Sequence, residues 1–185
     1  MLVLLMKVMR LFIAIDFDEH KQYFNKIQKT VGLEEESLLD MFHMTLLFLG
    51  DQTIEGAQSI KKSLRTLQAR PFYLTFDHMG LFSVKRRKDI FWVGVKDDSS
   101  IRFLRKKIIS SLEDVPLKLT KRFIPHVTIA RRNRKSTDNS FHASRLDVAE
   151  KTVRINSIKL VQSTLTSKGP IYTVLEEFFF AEKKK

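Results

Sequence analysis

The chain carries the same short pattern twice. Residues 42–50 read Phe-His-Met-Thr-Leu-Leu-Phe-Leu-Gly, and residues 125–131 read Pro-His-Val-Thr-Ile-Ala-Arg. Each has a His, one spacer, a Thr and then apolar residues. In a strand, positions i and i+2 face the same way. His43 and Thr45 therefore share one face, as do His126 and Thr128. The spacers Met44 and Val127 turn to the opposite, buried side. Composition alone would give two His such a Thr roughly 4% of the time, so the weight of the repeat rests on its flanks.

The flanks repeat too. Before the first pattern, Arg10-Leu-Phe-Ile-Ala-Ile-Asp16 is a compact apolar run that predicts a buried strand. A helix follows, with Asp18 as its cap, Tyr23, Phe24, Ile27 and Val31 at helical spacing, and Gly32 at its stop. Before the second pattern, Asp89-Ile-Phe-Trp-Val-Gly-Val95 predicts another strand. Asp98 or Ser99 can cap the next helix, whose apolar side is Ile101, Leu104, Ile108 and Leu112. Strand, helix and His-bearing strand thus occur twice, about 80 residues apart, which predicts two similar lobes. Pseudo-twofold packing of such lobes would bring both His strands to one cleft.

Other segments fill in around the repeat. Thr53 caps a predicted helix carrying Ile54, Ala57, Ile60, Leu64 and Leu67, which ends at Pro71. Phe72 to Met79 predicts a strand. Residues 152–165 and 171–180 predict two more, joined by a turn at Lys168-Gly169-Pro170. The polar stretch 132–150 reads mostly as loop, with a short helix near 142–149. Strands interleave with helices, so the class is α+β or α/β.

Composition sets bounds. A chain of 185 residues with 43% hydrophobic residues makes one domain, or two small lobes on a shared core. It contains no Cys, which excludes disulfides and Cys–metal sites and is compatible with a reducing cytoplasm. No apolar run is long enough to span a bilayer. The apolar stretch Met1 to Met9 lacks a basic leader and a small-residue cleavage site, so residues 1–9 read as a short extension and not a signal peptide. Residues 10–180 read as the folded domain, and 181–185 as a basic tail.

The 33 basic and 21 acidic residues give +12, a charge that favours polyanionic partners. Basic residues cluster at 85–88, 118–122 and 131–135. Two imidazoles, each with a hydroxyl beside it, suit a metal-free phosphoester hydrolase. Two His without a third ligand fall short of a zinc set. His20, His78 and His142 lack such partners and read as surface or satisfied core residues. Phe82 and Phe123, beside basic segments, are the aromatic residues best placed to face a substrate.

The paired patterns and their flanks resemble the 2H phosphoesterase superfamily, and within it the RNA 2′,3′-cyclic phosphodiesterases, also called LigT-like proteins or 2′-5′ RNA ligases. The resemblance runs from Arg10 to Phe180. It is carried by Arg10 to Asp16, His43 to Gly50, Phe91-Trp-Val-Gly-Val95, Pro125 to Arg131 and Tyr172 to Phe178. It implies an α+β, bilobal fold of two pseudo-symmetric antiparallel sheets, with outer helices and a central groove. It implies hydrolysis of RNA 2′,3′-cyclic phosphate ends to 2′-phosphates without a cofactor or metal, with 2′-5′ joining of RNA ends as a minor reverse activity. It further implies His43 as proton donor, His126 as proton acceptor, and Thr45, Thr128 and Arg131 as phosphate ligands. A straight strand puts Arg131 on the face opposite His126, so a strand end or bulge must redirect it.

Two other readings stay open: a 2H enzyme acting on 2′-5′ oligonucleotides or small cyclic nucleotides, and a non-catalytic RNA-binding protein. A monomer is expected, since no heptad or other oligomerisation signal is present.

Overall fold

The structure, a computed structural model, describes residues 8–30, 38–39, 41–84, 88–117, 122–133, 146–167 and 169–182. Among the described residues, eight strands form two antiparallel four-stranded sheets. The strands are β1 (Met9–Asp16), β2 (His43–Gln52), β3 (Phe72–Val84), β4 (Lys88–Val95), β5 (His126–Asn133), β6 (Leu146–Ile155), β7 (Ser157–Thr166) and β8 (Gly169–Phe179). One sheet has the order β2-β1-β7-β8 and the other β5-β4-β3-β6. The repeat is therefore spatial: β1 and β2 in the first sheet stand where β4 and β5 stand in the second. The chain begins in one sheet, builds all of the other, and returns for β7 and β8. The fold is α+β and bilobal.

Among the described residues, the α-helices are α1 (Lys21–Thr30), α2 (Ile54–Arg65) and α3 (Ser99–Ser111). Their caps follow local chemistry. Thr53 accepts a hydrogen bond from the Gly56 N–H at 3.1 Å, as its position predicts. At the other two starts the capping carboxylate comes earlier than expected. Asp16 accepts from the Asp18 N–H at 2.8 Å, opening a 3-10 turn (Asp18–His20) that runs into α1. Asp97 accepts from the Ser99 N–H at 2.9 Å. Asp98, freed from capping, pairs with Arg102 one turn on. In both cases the side chain bonds two residues ahead, a turn that Asp makes readily.

Most buried apolar residues of both sheets and all three helices form one continuous cluster, while Phe12, Ala14 and Val161 pack separately with Tyr172. Phe24 of α1 packs on Phe76 of β3 and stacks on Phe42, tying the first lobe's helix to the second lobe's sheet. One core thus serves both lobes.

The expected strand over 152–165 is two strands in different sheets. β6 ends at Ile155, β7 starts at Ser157, and the chain crosses between sheets at Asn156. Within the polar stretch, residues 146–150 belong to β6 and not to a loop or helix; residues 134–145 lie outside the described set. β6 is an edge strand, and Asp147, Ala149 and Glu150 are exposed, which explains the missing apolar alternation. The β7–β8 hairpin turns through Gly169, whose φ of +122° suits glycine. Val31, Gly32, most of the extension 1–9 and the end of the basic tail also lie outside the described residues. Among the described residues, no helix is long and apolar enough to cross a membrane.

Candidate active site

β2 and β5 are edge strands of their respective sheets, and they face one another across the junction of the lobes. Met44 and Val127 are fully buried, so His43, Thr45, His126 and Thr128 turn outward as their alternation requires. All four line one groove of about 480 Å³. The repeat in the sequence therefore becomes a pair of His-Thr faces around a single cavity.

Each His strand then breaks register. Opposite β1, Ala14 pairs with Thr45 and Ile13 with Leu47, leaving Leu46 as an extra residue. Opposite β4, Trp92 pairs with Thr128 and Phe91 with Ala130, leaving Ile129 extra. A bulge of one residue shifts the side-chain alternation by one. It carries Arg131 onto the face of His126, and Arg131 lines the groove. The redirection that a straight strand denied is supplied by Ile129. The same bulge in β2 brings Phe48 into the groove at the equivalent position.

The bulges are clamped across the lobes. Gln28 of α1 donates to the Ile129 carbonyl at 2.7 Å and to the Leu39 carbonyl at 2.7 Å. Arg105 of α3 donates to the Leu46 carbonyl at 2.9 Å. Each lobe's helix thus binds the edge carbonyl of the other lobe's bulge. The Ile129 carbonyl also accepts from the Leu39 N–H at 3.1 Å. Gln28 and Arg105 carry no motif of their own, and only the fold reveals their role.

The two imidazoles are held differently. His126 donates through Nδ1 to the Ile124 carbonyl at 2.7 Å, a bond that fixes the neutral tautomer with Nε2 free to accept. Its ring meets Phe82 edge-on at 5.0 Å and Trp92 at 6.0 Å. His43 instead packs between Phe12 at 5.4 Å and Tyr172 at 5.1 Å. Burial and then the nearby Arg131 charge push the His43 pKa down to about 4; Asp16 opposes this and His126 adds to it. Burial also lowers His126, with the Ile124 bond opposing and Arg131 reinforcing the shift. Both shifts favour the neutral imidazole.

Phe123 lines the groove beneath two cations, Arg105 at 4.7 Å and Arg102 at 5.8 Å from its ring. Phe82 does not line the cavity and instead backs the His126 ring. Of the basic clusters, Arg122 and Arg131 line the groove, joined by Arg10 and Arg105, while Arg132 pairs with buried Asp89 at 2.9 Å. Residues 85–87, 118–121 and 134–135 lie outside the described residues. His78 pairs with Asp77, as a structural His would, and His142 is outside the described set. Among the described residues, no group of three or more His, Asp or Glu is placed to hold a metal ion.

A two-sheet fold with paired, bulged His-x-Thr strands defines a class. Residues 17–166 match the profile of the 2′-5′ RNA ligase superfamily, and the chain belongs to that family. Among its relatives is the RNA 2′,3′-cyclic phosphodiesterase of Aquifex aeolicus (strain VF5), 33% identical, covering 94% of this chain and 98% of that protein. The protein of the same name from Archaeoglobus fulgidus is 29% identical, covering 92% and 99%. The crystal structure of TT0787 of Thermus thermophilus superposes with a TM-score of 0.77 at 24% identity, covering 95% of this chain and 100% of that one. E. coli LigT complexed with 3′-AMP gives 0.75 at 20% identity, covering 94% and 99%. At those identities the two structures establish the fold.

Proposed function

We propose that this chain is an RNA 2′,3′-cyclic phosphodiesterase that opens the cyclic phosphate to a 2′-phosphomonoester, with His126 as general base and His43 as general acid. The observation that carries the roles is the Ile124 carbonyl bond. It leaves Nε2 of His126 as an acceptor, which is what a base needs. Family relatives named RNA 2′,3′-cyclic phosphodiesterase supply the substrate.

His126 takes a proton from water, whose oxygen attacks phosphorus. The bond from phosphorus to O3′ breaks, and His43 gives its proton to O3′. The product keeps the phosphate on O2′ and a free 3′-hydroxyl. Thr45 and Thr128 donate to the non-bridging oxygens, and Arg131 balances their charge. A bound phosphate also offsets the Arg131 charge that disfavours a protonated His43, so substrate binding promotes the acid form. No step calls for a metal.

Residues 10–180 act as one bilobal domain, flanked by extension 1–9 and tail 181–185. The working form is a cytoplasmic monomer acting on RNA ends, a setting that its cysteine-free composition suits. With the 5′-hydroxyl of a second RNA in place of water, attack on the cyclic phosphate with departure of O3′ gives a 2′-5′ phosphodiester as a minor activity.

The test is hydrolysis of a short RNA ending in a 2′,3′-cyclic phosphate, with chelator present, by wild type and His126→Ala. Turnover to a 2′-phosphate that disappears in the variant supports the reading. A 3′-phosphate product, or equal rates for both proteins, contradicts it.

A further inference from the structure

Gln28 is only 6% exposed, and an amide so buried must have its polar atoms bonded. Its Nε2 carries two hydrogens and serves two carbonyls, Leu39 ahead of the first His strand and Ile129 within the second, each at 2.7 Å. The Leu39 N–H donates to the same Ile129 carbonyl, and Leu38 bridges Ala130. Both lone pairs of that carbonyl are thus engaged by the first lobe. β5 is an edge strand, so β4 holds it from one side, and Gln28 with residues 38–39 from the other. Ile129 is the extra residue of the bulge. Beyond it, Arg131 lines the groove, while Arg132 faces away to buried Asp89. With regular pairing the two guanidiniums would trade faces. The bulge therefore decides which of them meets the phosphate. Arg105 supplies the matching bond to the Leu46 bulge, so the two lobes hold their bulges alike with unlike side chains.

We propose that Gln28 is a positioning residue for the hydrolysis: its amide holds the Ile129 bulge in place and so keeps the Arg131 guanidinium on the face of His126 and Thr128. The inference rests on the phosphodiesterase reading and deepens it, by tracing the charge that meets the phosphate to a side chain of the other lobe. Gln28 does not line the groove and touches no reacting atom. It acts through Arg131. A guanidinium that stabilises transition-state charge must be preorganised, and a misplacement of about 1 Å can cost roughly 10²-fold. Removing the amide takes a bond from two carbonyls at once, Ile129 on β5 and Leu39 on the segment that covers it. The bulge then loses its anchor and the cover over that anchor loosens.

The experiment is a double-mutant cycle of wild type, Gln28→Met, Arg131→Gln and the double variant, on a short RNA ending in a 2′,3′-cyclic phosphate. Met keeps the length and bulk of Gln and removes its donors. Gln28→Met is expected to lower kcat roughly 10- to 100-fold in the wild-type background. In the Arg131→Gln background the loss should shrink to about twofold or less. Arg131 lowers both imidazole pKa values, so Gln28→Met should also move the acid limb of the kcat/KM profile to higher pH, with no further movement in the double variant. Equal losses in the two backgrounds overturn the positioning role. So does a limb that moves in Arg131→Gln and not in Gln28→Met. If wild type leaves the RNA intact, the reaction reading falls, and calorimetry with inorganic phosphate decides the positioning by the same cycle. Weakening by Gln28→Met that depends on Arg131 sustains it; weakening that is absent or independent of Arg131 overturns it. Should Gln28→Met fail to fold, Gln28→Asn, whose amide is one carbon short, takes its place. Loss of folding in both, read by circular dichroism, makes Gln28 a stability residue and overturns the proposal.

Discussion

Across the sheet from Thr45 stands Ala14; across from Thr128 stands Trp92. Beside His43 in the register is Asp16; beside His126 is Gly94. The next strand inward carries Lys159 in one lobe and Gly80 in the other. In the first lobe, Lys159 reaches Asp16 at 2.5 Å, which places a charged pair next to His43. In the second, the missing side chains make room for Trp92: a Cβ at Gly80 would collide with the indole. Both histidines lie against aromatic rings, Phe12 and Tyr172 for His43 and Phe82 and Trp92 for His126, but His43 has Asp16 opposite it where His126 has Gly94. Asp16 favours the imidazolium, but burial outweighs it and lowers His43 to about 4. The backbone is repeated, and the surroundings of the two rings differ.

The largest expected effect comes from removing either ring. His43→Ala and His126→Ala should each lower turnover of an RNA cyclic phosphate by roughly 10²–10⁴-fold, with folding retained. A loss confined to one of them would mean that the lobes do not share the reaction.

Arg131 breaks the comparison at the phosphate. Arg131→Gln should cost about 10²–10³-fold in kcat, the scale set by losing one preorganised charge-stabilising donor. Its positive charge lowers both imidazole pKa values, so its removal raises them. The acid limb of the kcat/KM profile should therefore move to higher pH; a limb that stays in place would show that Arg131 lies too far from the rings to matter.

Stability separates the two seats. Gly80→Ala forces the indole against a new methyl and should destabilise by about 1–3 kcal/mol, as overpacking does. Lys159→Ala, at the matching position, breaks a partly exposed ion pair and should cost about 1 kcal/mol or less. Urea unfolding of both variants ranks them, and the reverse order would refute the packing of Trp92.

A further effect on stability is pH linkage. His43 titrates near 4 in the folded groove against an ordinary value of 6.5. Between those values the unfolded chain binds the extra proton, so the stability from a neutral His43 is complete above pH 6.5 and lost as pH falls toward 4. Melting temperature should drop across that window, and less steeply in His43→Leu.

Much of this was legible in the chain before its shape was known. The His-x-Thr strands, β1, β4 and the Thr53 cap rest on local alternation and spacing, which sequence carries directly. The break at Asn156 also left a signal. The buried residues Val153 and Ile155 alternate in one phase, and Ile158 and Leu160 in the other. A strand that slips phase has changed partners. Phe48 was visible too, by laying His43 on His126, where it falls opposite Arg131. Strict two-residue alternation hides it, because a bulge is set by the partner strand and leaves no composition of its own. Gln28 and Arg105 could not be found at all, since their targets are carbonyls in the other lobe. Residues 146–150 were missed because this end of an edge strand is mostly polar and exposed, with Val148 packed against the core but no apolar neighbour in phase to mark a rhythm.

The most direct test of unequal histidines uses a leaving group that needs no proton. A 2′,3′-cyclic substrate with sulfur in place of O3′ expels a thiolate, so a general acid becomes dispensable while the base does not. Rates on this and the oxygen substrate would be measured for wild type, His43→Ala and His126→Ala. Rescue of His43→Ala alone is the predicted result. Rescue of His126→Ala in its place would reverse the assignment of acid and base drawn from the two lobes.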